Sequence, residues 1–416
     1  MIAISIEDTY RFRSILTGGQ KMNIKSLLLG SAAALIAVSG ARAADAVTVA
    51  EPEPAEYVKI CDVYGSGYFY IPGTETCLRI GGYVRYDAGF GDVGTFTGAR
   101  ADDVVNGKNQ GTWYKDARFT LKTWTGQETE LGTLKTYTET RMNFQNHPLD
   151  NGSDNKADNS FDMHFAWIQL GGLRVGLDES AFDTFVGYAG NVVNDTIVPY
   201  GGFKTGVVQY YFDAGNGFSA MVSLEEGSGG GDQAAPDATY GYGTGTIDSY
   251  VPHIVGGLKY TQGWGDIVGV VAYDSNYEYV SGKVRVDVNV TNELSLFGIF
   301  AYASEGKLND FNPNPNTAYA NGRGFYKPWG GNWAFFAGGT YKFNDKASFN
   351  LQVSGDDWED YGIAANIAYT VVPGFTITPE VDYQHVGSEA FDRGNVWGGS
   401  EKKNSVGAIV RFQRDF

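Results

Sequence analysis

What most constrains this chain is a repeated period of two. Sixteen stretches alternate apolar with polar residues: 78–90, 113–124, 133–143, 161–170, 173–179, 204–213, 217–226, 252–262, 265–275, 278–290, 294–304, 332–343, 347–354, 360–371, 375–385 and 402–416. That period is a β-strand with one greasy and one wet face. In the clearest case Val284, Val286, Val288 and Val290 alternate with Arg285, Asp287 and Asn289. The final stretch sets Val406, Ala408, Val410, Phe412 and the terminal Phe416 against Ser405, Arg411, Gln413 and Asp415. The chain is all-β.

The connections narrow the choice further. Those at 170–173, 213–217, 262–265, 290–294, 343–347 and 371–375 are tight, while 91–112, 144–160, 180–203, 227–251, 305–331 and 386–401 are long and rich in Gly, Asn and Asp. Short turns at one end and long loops at the other mark a transmembrane antiparallel barrel, whereas nothing imposes that asymmetry on a soluble sandwich. Beyond residue 43 no window approaches the about 20 apolar residues of a spanning helix, and mean hydropathy is only −0.25. In a membrane such a chain has to satisfy its backbone by closing a barrel. With about 16 strands the lumen is too wide for side chains to fill, so it holds water.

Met22-Asn23-Ile24-Lys25, the apolar run Leu27 to Val38 and Ala41-Arg42-Ala43 have the order of a secretory signal peptide. The expected organisation is an upstream extension plus signal peptide over 1–43, an N-terminal segment over 44–77 and the barrel over 78–416. Residues 1–21 read as an over-extended start. Without 1–43, which holds five basic and two acidic residues, the totals of 31 and 48 fall to 26 and 46, a net charge of −20. That excess of acid excludes nucleic acid as a natural partner. The two cysteines, Cys61 and Cys77, form a close pair in an exported chain and are expected to be bridged. Zinc would need two further ligands, and no metal site or cofactor is expected. The histidines His147, His164, His253 and His385 are scattered, and neither a G-x-S-x-G nor an H-E-x-x-H motif accompanies them, so the chain does not read as an enzyme. Glu380 and Asp382 share one strand face and read as wall lining. Trp113, Trp124, Trp264, Trp333 and Tyr341, near strand ends, read as interfacial girdles.

The block Cys61-Asp62-Val63-Tyr64-Gly65-Ser66-Gly67-Tyr68-Phe69-Tyr70-Ile71-Pro72-Gly73-Thr74-Glu75-Thr76-Cys77-Leu78-Arg79-Ile80-Gly81-Gly82-Tyr83 resembles the opening of the alphaproteobacterial general porins, the rhizobial and brucella-type outer-membrane proteins. Ala166 to Gly176 and the closing Arg411-Phe412-Gln413-Arg414-Asp415-Phe416 are similar to later stretches of that family. The resemblance implies a homotrimer in the Gram-negative outer membrane, in contact with its lipid, passing small hydrophilic solutes and ions by passive diffusion. It also implies that barrel assembly machinery reads Phe416, and that the third external loop folds inward as a constriction.

That loop position holds Asp178, Glu179, Asp183 and Asp195, with Lys204 nearby, while Arg79, Arg85, Arg118, Lys122 and Arg141 occupy wet-face positions of the first three strands. Acid on a loop facing base on a wall gives a transverse field, and the uncancelled carboxylates predict weak cation selectivity. The alternatives are a substrate-specific channel, for sugars for example, and a secreted β-rich adhesin or lectin. Saturable block of conductance distinguishes the first, and extraction without detergent the second.

Overall fold

The computed structural model describes residues 59–93, 99–146, 157–227, 247–308, 322–392 and 403–416. The expected extension, the signal peptide and residues 44–58 of the N-terminal segment lie outside these. In chain order the strands are β1 (Phe69–Tyr70), β2 (Cys77–Gly91), β3 (Arg100–Asp102), β4 (Asn109–Gly111), β5 (Tyr114–Thr129), β6 (Gly132–Asn146), β7 (Ala157–Leu170), β8 (Leu173–Glu179), β9 (Lys204–Asp213), β10 (Phe218–Glu225), β11 (His253–Gln262), β12 (Gly265–Asp274), β13 (Tyr279–Asn289), β14 (Leu294–Ala303), β15 (Trp333–Asn344), β16 (Ala347–Asp356), β17 (Tyr361–Val372), β18 (Phe375–His385) and β19 (Asn404–Asp415). Apart from β1 and the small β3–β4 hairpin, each strand pairs antiparallel with its neighbours, and β19 returns to pair with β2. The result is a closed barrel of 16 strands with no free edge in the ring.

Closure uses the last residue. The Phe416 N–H donates to the Gly82 carbonyl and the Gly82 N–H donates back to Phe416, both at 3.1 Å, and the Phe416 ring stacks on Phe119 at 6.4 Å. The sixteen alternating stretches correspond to the sixteen barrel strands, with one instructive difference. β5 and β6 run on to a two-residue turn at Glu130-Leu131, where the alternation had suggested a longer connection. The extension is hidden because its outward positions, Thr125, Gln127 and Thr129, are polar. Thr125, the first residue past the expected end, is satisfied across the strands, its hydroxyl lying 2.5 Å from that of Thr136.

The two faces separate cleanly. Leu258 and Val271 are 58% and 57% exposed on the outward face, a surface that lipid covers in a membrane barrel. Inward positions carry Lys283, Gln352, Asn366 and Glu380, all buried. Cys61 and Cys77 are bridged, Cα to Cα 6.0 Å, which ties the N-terminal segment to the first residue of β2. Tyr64 of that segment lies over Gly126, where a Cβ would meet the ring at 2.6 Å, and its hydroxyl donates to Glu128 at 2.9 Å. No helix among the described residues is long and apolar enough to cross a membrane.

Candidate functional site

The candidate site is the inner face of the barrel and the segment 180–203 that follows β8. This segment opens with a short helix, Ala181–Thr184, capped by Ser180, whose hydroxyl oxygen accepts from the Phe182 N–H at 3.1 Å. Glu225 at the end of β10 holds the same turn. It accepts from the Ser180 hydroxyl at 2.6 Å and from the Ala181 N–H at 2.8 Å. Lys283 of β13 donates to Asp183 at 2.6 Å and to the Tyr200 carbonyl at 3.0 Å, both side chains being fully enclosed. Gly201 makes room for this pair, since a Cβ there would fall within 1.8 Å of the Asp183 carboxylate.

Further along, the segment reaches other strands. Gln352 of β16 donates to the Asp195 carbonyl at 2.7 Å, and Asn366 of β17 donates to the Asn191 carbonyl at 3.0 Å. The Asn194 N–H donates to Glu380 of β18 at 2.8 Å, and Val193 donates to the same carboxylate. Arg285 of β13 donates to the Tyr188 carbonyl. The partners are thus inward side chains of β13, β16, β17 and β18, up to 188 residues distant in sequence.

The comparisons with known proteins bear directly on this geometry. A family model described as "Porin subfamily" matches residues 45–410. The chain is a porin. Porin Omp2b of Brucella suis is 50% identical over 400 residues, covering 95% of this chain and all of that protein. Its counterpart in Brucella abortus is 50% identical over 404 residues with the same coverage. Among solved structures, the outer membrane channel DcaP of Acinetobacter baumannii aligns with TM-score 0.54 and 18% identity over 83% of this chain and 99% of that one. OprB of Pseudomonas putida aligns at 0.52 and 13% identity, over 82% and 94%. These two likenesses concern the fold. The family and its relatives make the chain an outer-membrane channel for passive diffusion.

The carboxylates expected on the porin's third loop have other surroundings. Asp178 and Glu179 end strand β8 and are buried. Asp178 accepts from Arg174 at 2.7 Å. Glu179 lies 2.8 Å from the His164 ring nitrogen and accepts from the Tyr188 hydroxyl. Asp183 is sealed against Lys283; burial pushes its carboxyl up while the ammonium beside it pulls it down. Asp195 accepts from the Tyr200 hydroxyl at 2.7 Å, and loss of water around it pushes its carboxyl up to about 6. These groups hold the segment in place.

The basic residues are more open. Arg118, Lys122 and Arg141 keep 22%, 27% and 25% of their side chains exposed beside carboxylates that keep only 2%. Arg85 donates to Gln413 at 2.8 Å, and Arg79 lies over the Trp124 ring at 4.7 Å. That contact corrects one sequence expectation. Trp124 pairs in register with Arg79 and Tyr137 and belongs to the inner face, not to an interfacial girdle.

Sequence reasoning also missed a second packed segment. Between β14 and β15, Phe325, Tyr326 and Trp329 are buried and share a core with Ala181, Phe182, Val186 and Tyr200. The Tyr326 hydroxyl donates to Glu225 at 2.8 Å, and Arg323 donates to Asp360 at 3.0 Å. The signal was Phe325-Tyr326 and Trp329, three large rings within five residues at the end of a connection rich in Asn, Pro and Gly.

Proposed function

We propose that residues 180–203 form the constriction of this porin and that its charge lining comes from the wall of β2, β5 and β6. The observation that carries this reading is the set of hydrogen bonds from the segment to inward side chains of four other strands. A loop tied in that way crosses the lumen instead of standing in solvent. Its carboxylates are spent on anchoring, so the solvated charges on the facing wall of β2, β5 and β6, namely Arg85, Arg118, Lys122 and Arg141, outnumber the part-exposed carboxylate beside the segment, Asp287, which is paired with Arg285. Selectivity is set where an ion sheds part of its hydration and local fields are least screened. The sign is therefore tilted toward anions, the reverse of what counting loop carboxylates in the sequence suggested.

The finer expectations stay part of this reading. They comprise export by the segment 22–43, assembly as a homotrimer and recognition of Phe416 by barrel assembly machinery. The test of the constriction is the zero-current potential in a KCl gradient across a planar bilayer. Arg85→Gln/Arg118→Gln/Arg141→Gln moves it toward cations, while Asp178→Asn and Glu179→Gln leave its sign unchanged. Insensitivity to the arginine variants refutes the proposed lining.

A further inference from the structure

Beyond its charges, the inner face carries an unbroken row of aromatic rings. Trp124 of β5, Tyr137 of β6 and Trp167 of β7 are register partners on adjacent strands. Their centroids lie 5.4 and 5.6 Å apart in sequence along the row. Both ends are closed by guanidinium groups. Arg79 lies over Trp124 at 4.7 Å, and Arg174 lies over Trp167 at 4.1 Å and over Tyr211 at 5.0 Å. The three rings are half-buried, so each keeps an open surface.

An ordinary water-lined wall gains nothing from a ring of this kind. Indole and phenol present apolar area to water, which is unfavourable unless something flat covers it. Among the described residues, the ring and guanidinium neighbours of Trp124 and Trp167 are Tyr137 and the two arginines, while Tyr137 also meets Phe165 at 5.4 Å.

Charge selects among the flat solutes. Arg79 and Lys135 are exposed on the same inner face, and Lys122 and Arg141 share a single carboxylate, Glu139. Around the row Arg79, Lys122, Lys135, Arg141 and Arg174 outnumber Glu128, Glu139 and Asp178. A neutral sugar ring would use the stacking surface and leave this charge idle, and a small aliphatic anion would do the opposite. A flat ring bearing a carboxylate uses both, stacking on the rings while its oxygens meet a planar guanidinium.

Strand geometry gives the depth. Trp124 and Tyr137 stand six residues from Glu130 and Leu131 respectively, the turn that joins their strands, roughly 20 Å at the rise of a β-strand. The row thus lies on the short-turn side of the segment 180–203, in line with a solute that has passed it.

We propose that Trp124, Tyr137 and Trp167 form a subsite in the channel for aromatic carboxylates, with Arg79 meeting the carboxylate and Arg174, held by Asp178 and Gln169, closing the far end of the row. The inference rests on the reading that this face lines the water-filled lumen, and the experiment separates the two. Because the described residues include no free cysteine, Tyr137→Cys offers one reactive thiol. Labelling of the reconstituted protein by a membrane-impermeant maleimide tests the lining alone, and absence of labelling overturns lining and subsite together.

With the wild-type channel, benzoate, acetate, benzyl alcohol and glucose are then added to KCl in a planar bilayer. The expected result is saturable block by benzoate at least tenfold more potent than by the other three. Trp124→Ala/Trp167→Ala weakens that block at least tenfold, and Trp124→Phe retains it. Stepwise KCl current shows in each case that the variant barrel has assembled. Labelling of Tyr137→Cys with equal block by acetate overturns the subsite and leaves bare charge. Equal block by glucose or benzyl alcohol overturns the charge requirement, and benzoate block that survives the double alanine variant overturns the site.

Discussion

Asp183→Asn isolates what holds the segment 180–203. In the native protein the Asp183 carboxylate and the Lys283 ammonium are 2.6 Å apart, with 0% and 1% of the side chains exposed. Removing one member of an enclosed ion pair leaves the other charged and unpaired, which costs about 3–5 kcal/mol. At 1.36 kcal/mol per tenfold, local opening should rise by roughly two to nearly four orders of magnitude. The barrel strands should not respond, because their hydrogen bonds do not involve this pair. Amide hydrogen exchange read by mass spectrometry follows the change in a peptide covering 181–187, where the Gly187 N–H donates to the Asp183 carbonyl at 2.8 Å. Asp183→Asn/Lys283→Met removes both charges and should recover much of the lost protection. If the single variant exchanges like wild type, or if Lys283→Met merely adds to its effect, the pair is not the anchor.

Three further outcomes follow from the same structure. Val271→Arg, on the outward face of β12, should cost about 2–4 kcal/mol near the bilayer midplane, while Asn143→Arg on the inner face should change conductance more than stability; equilibrium refolding into lipid vesicles measures the stabilities and a planar-bilayer recording the conductance. Asp195 has a carboxyl pushed up to about 6 from 3.8, so its contribution to local order is full below the lower value and fades as pH rises through the upper one. Exchange in 191–200, corrected for intrinsic rate, should accordingly be slower at pH 5 than at pH 7.5, and Asp195→Asn should flatten the difference. Reduction of the Cys61–Cys77 bridge removes a constraint worth roughly 3 kcal/mol for a loop of that size. Proteolysis should then open 61–77 while β2 to β19 persist.

The barrel was legible in the sequence because lipid and water impose opposite demands on alternate residues. Every strand from β2 to β19 in the ring pays for that contrast in its own side chains. Where the outward face is polar, as at Thr125 and Gln127, the pattern faded and the strand looked shorter than it is. Trp124 shows a different failing. Its even number already placed it in phase with Arg118 and Lys122, but nearness to a strand end suggested a girdle; phase was the better guide. The anchoring of 180–203 could not be read at all. Asp183 and Lys283 are 100 residues apart, and no local pattern distinguishes a carboxylate sealed against a strand from one exposed in a channel. The disulfide was accessible because only one pairing exists for Cys61 and Cys77.

The measurement that tests the account most directly is a single-channel recording of the purified protein in a planar bilayer. A water-filled barrel of this width should give discrete, ohmic current steps whose size grows in proportion to KCl concentration. Absence of steps from protein that is folded and inserted, or a conductance that saturates at low salt, would contradict an open diffusion pore.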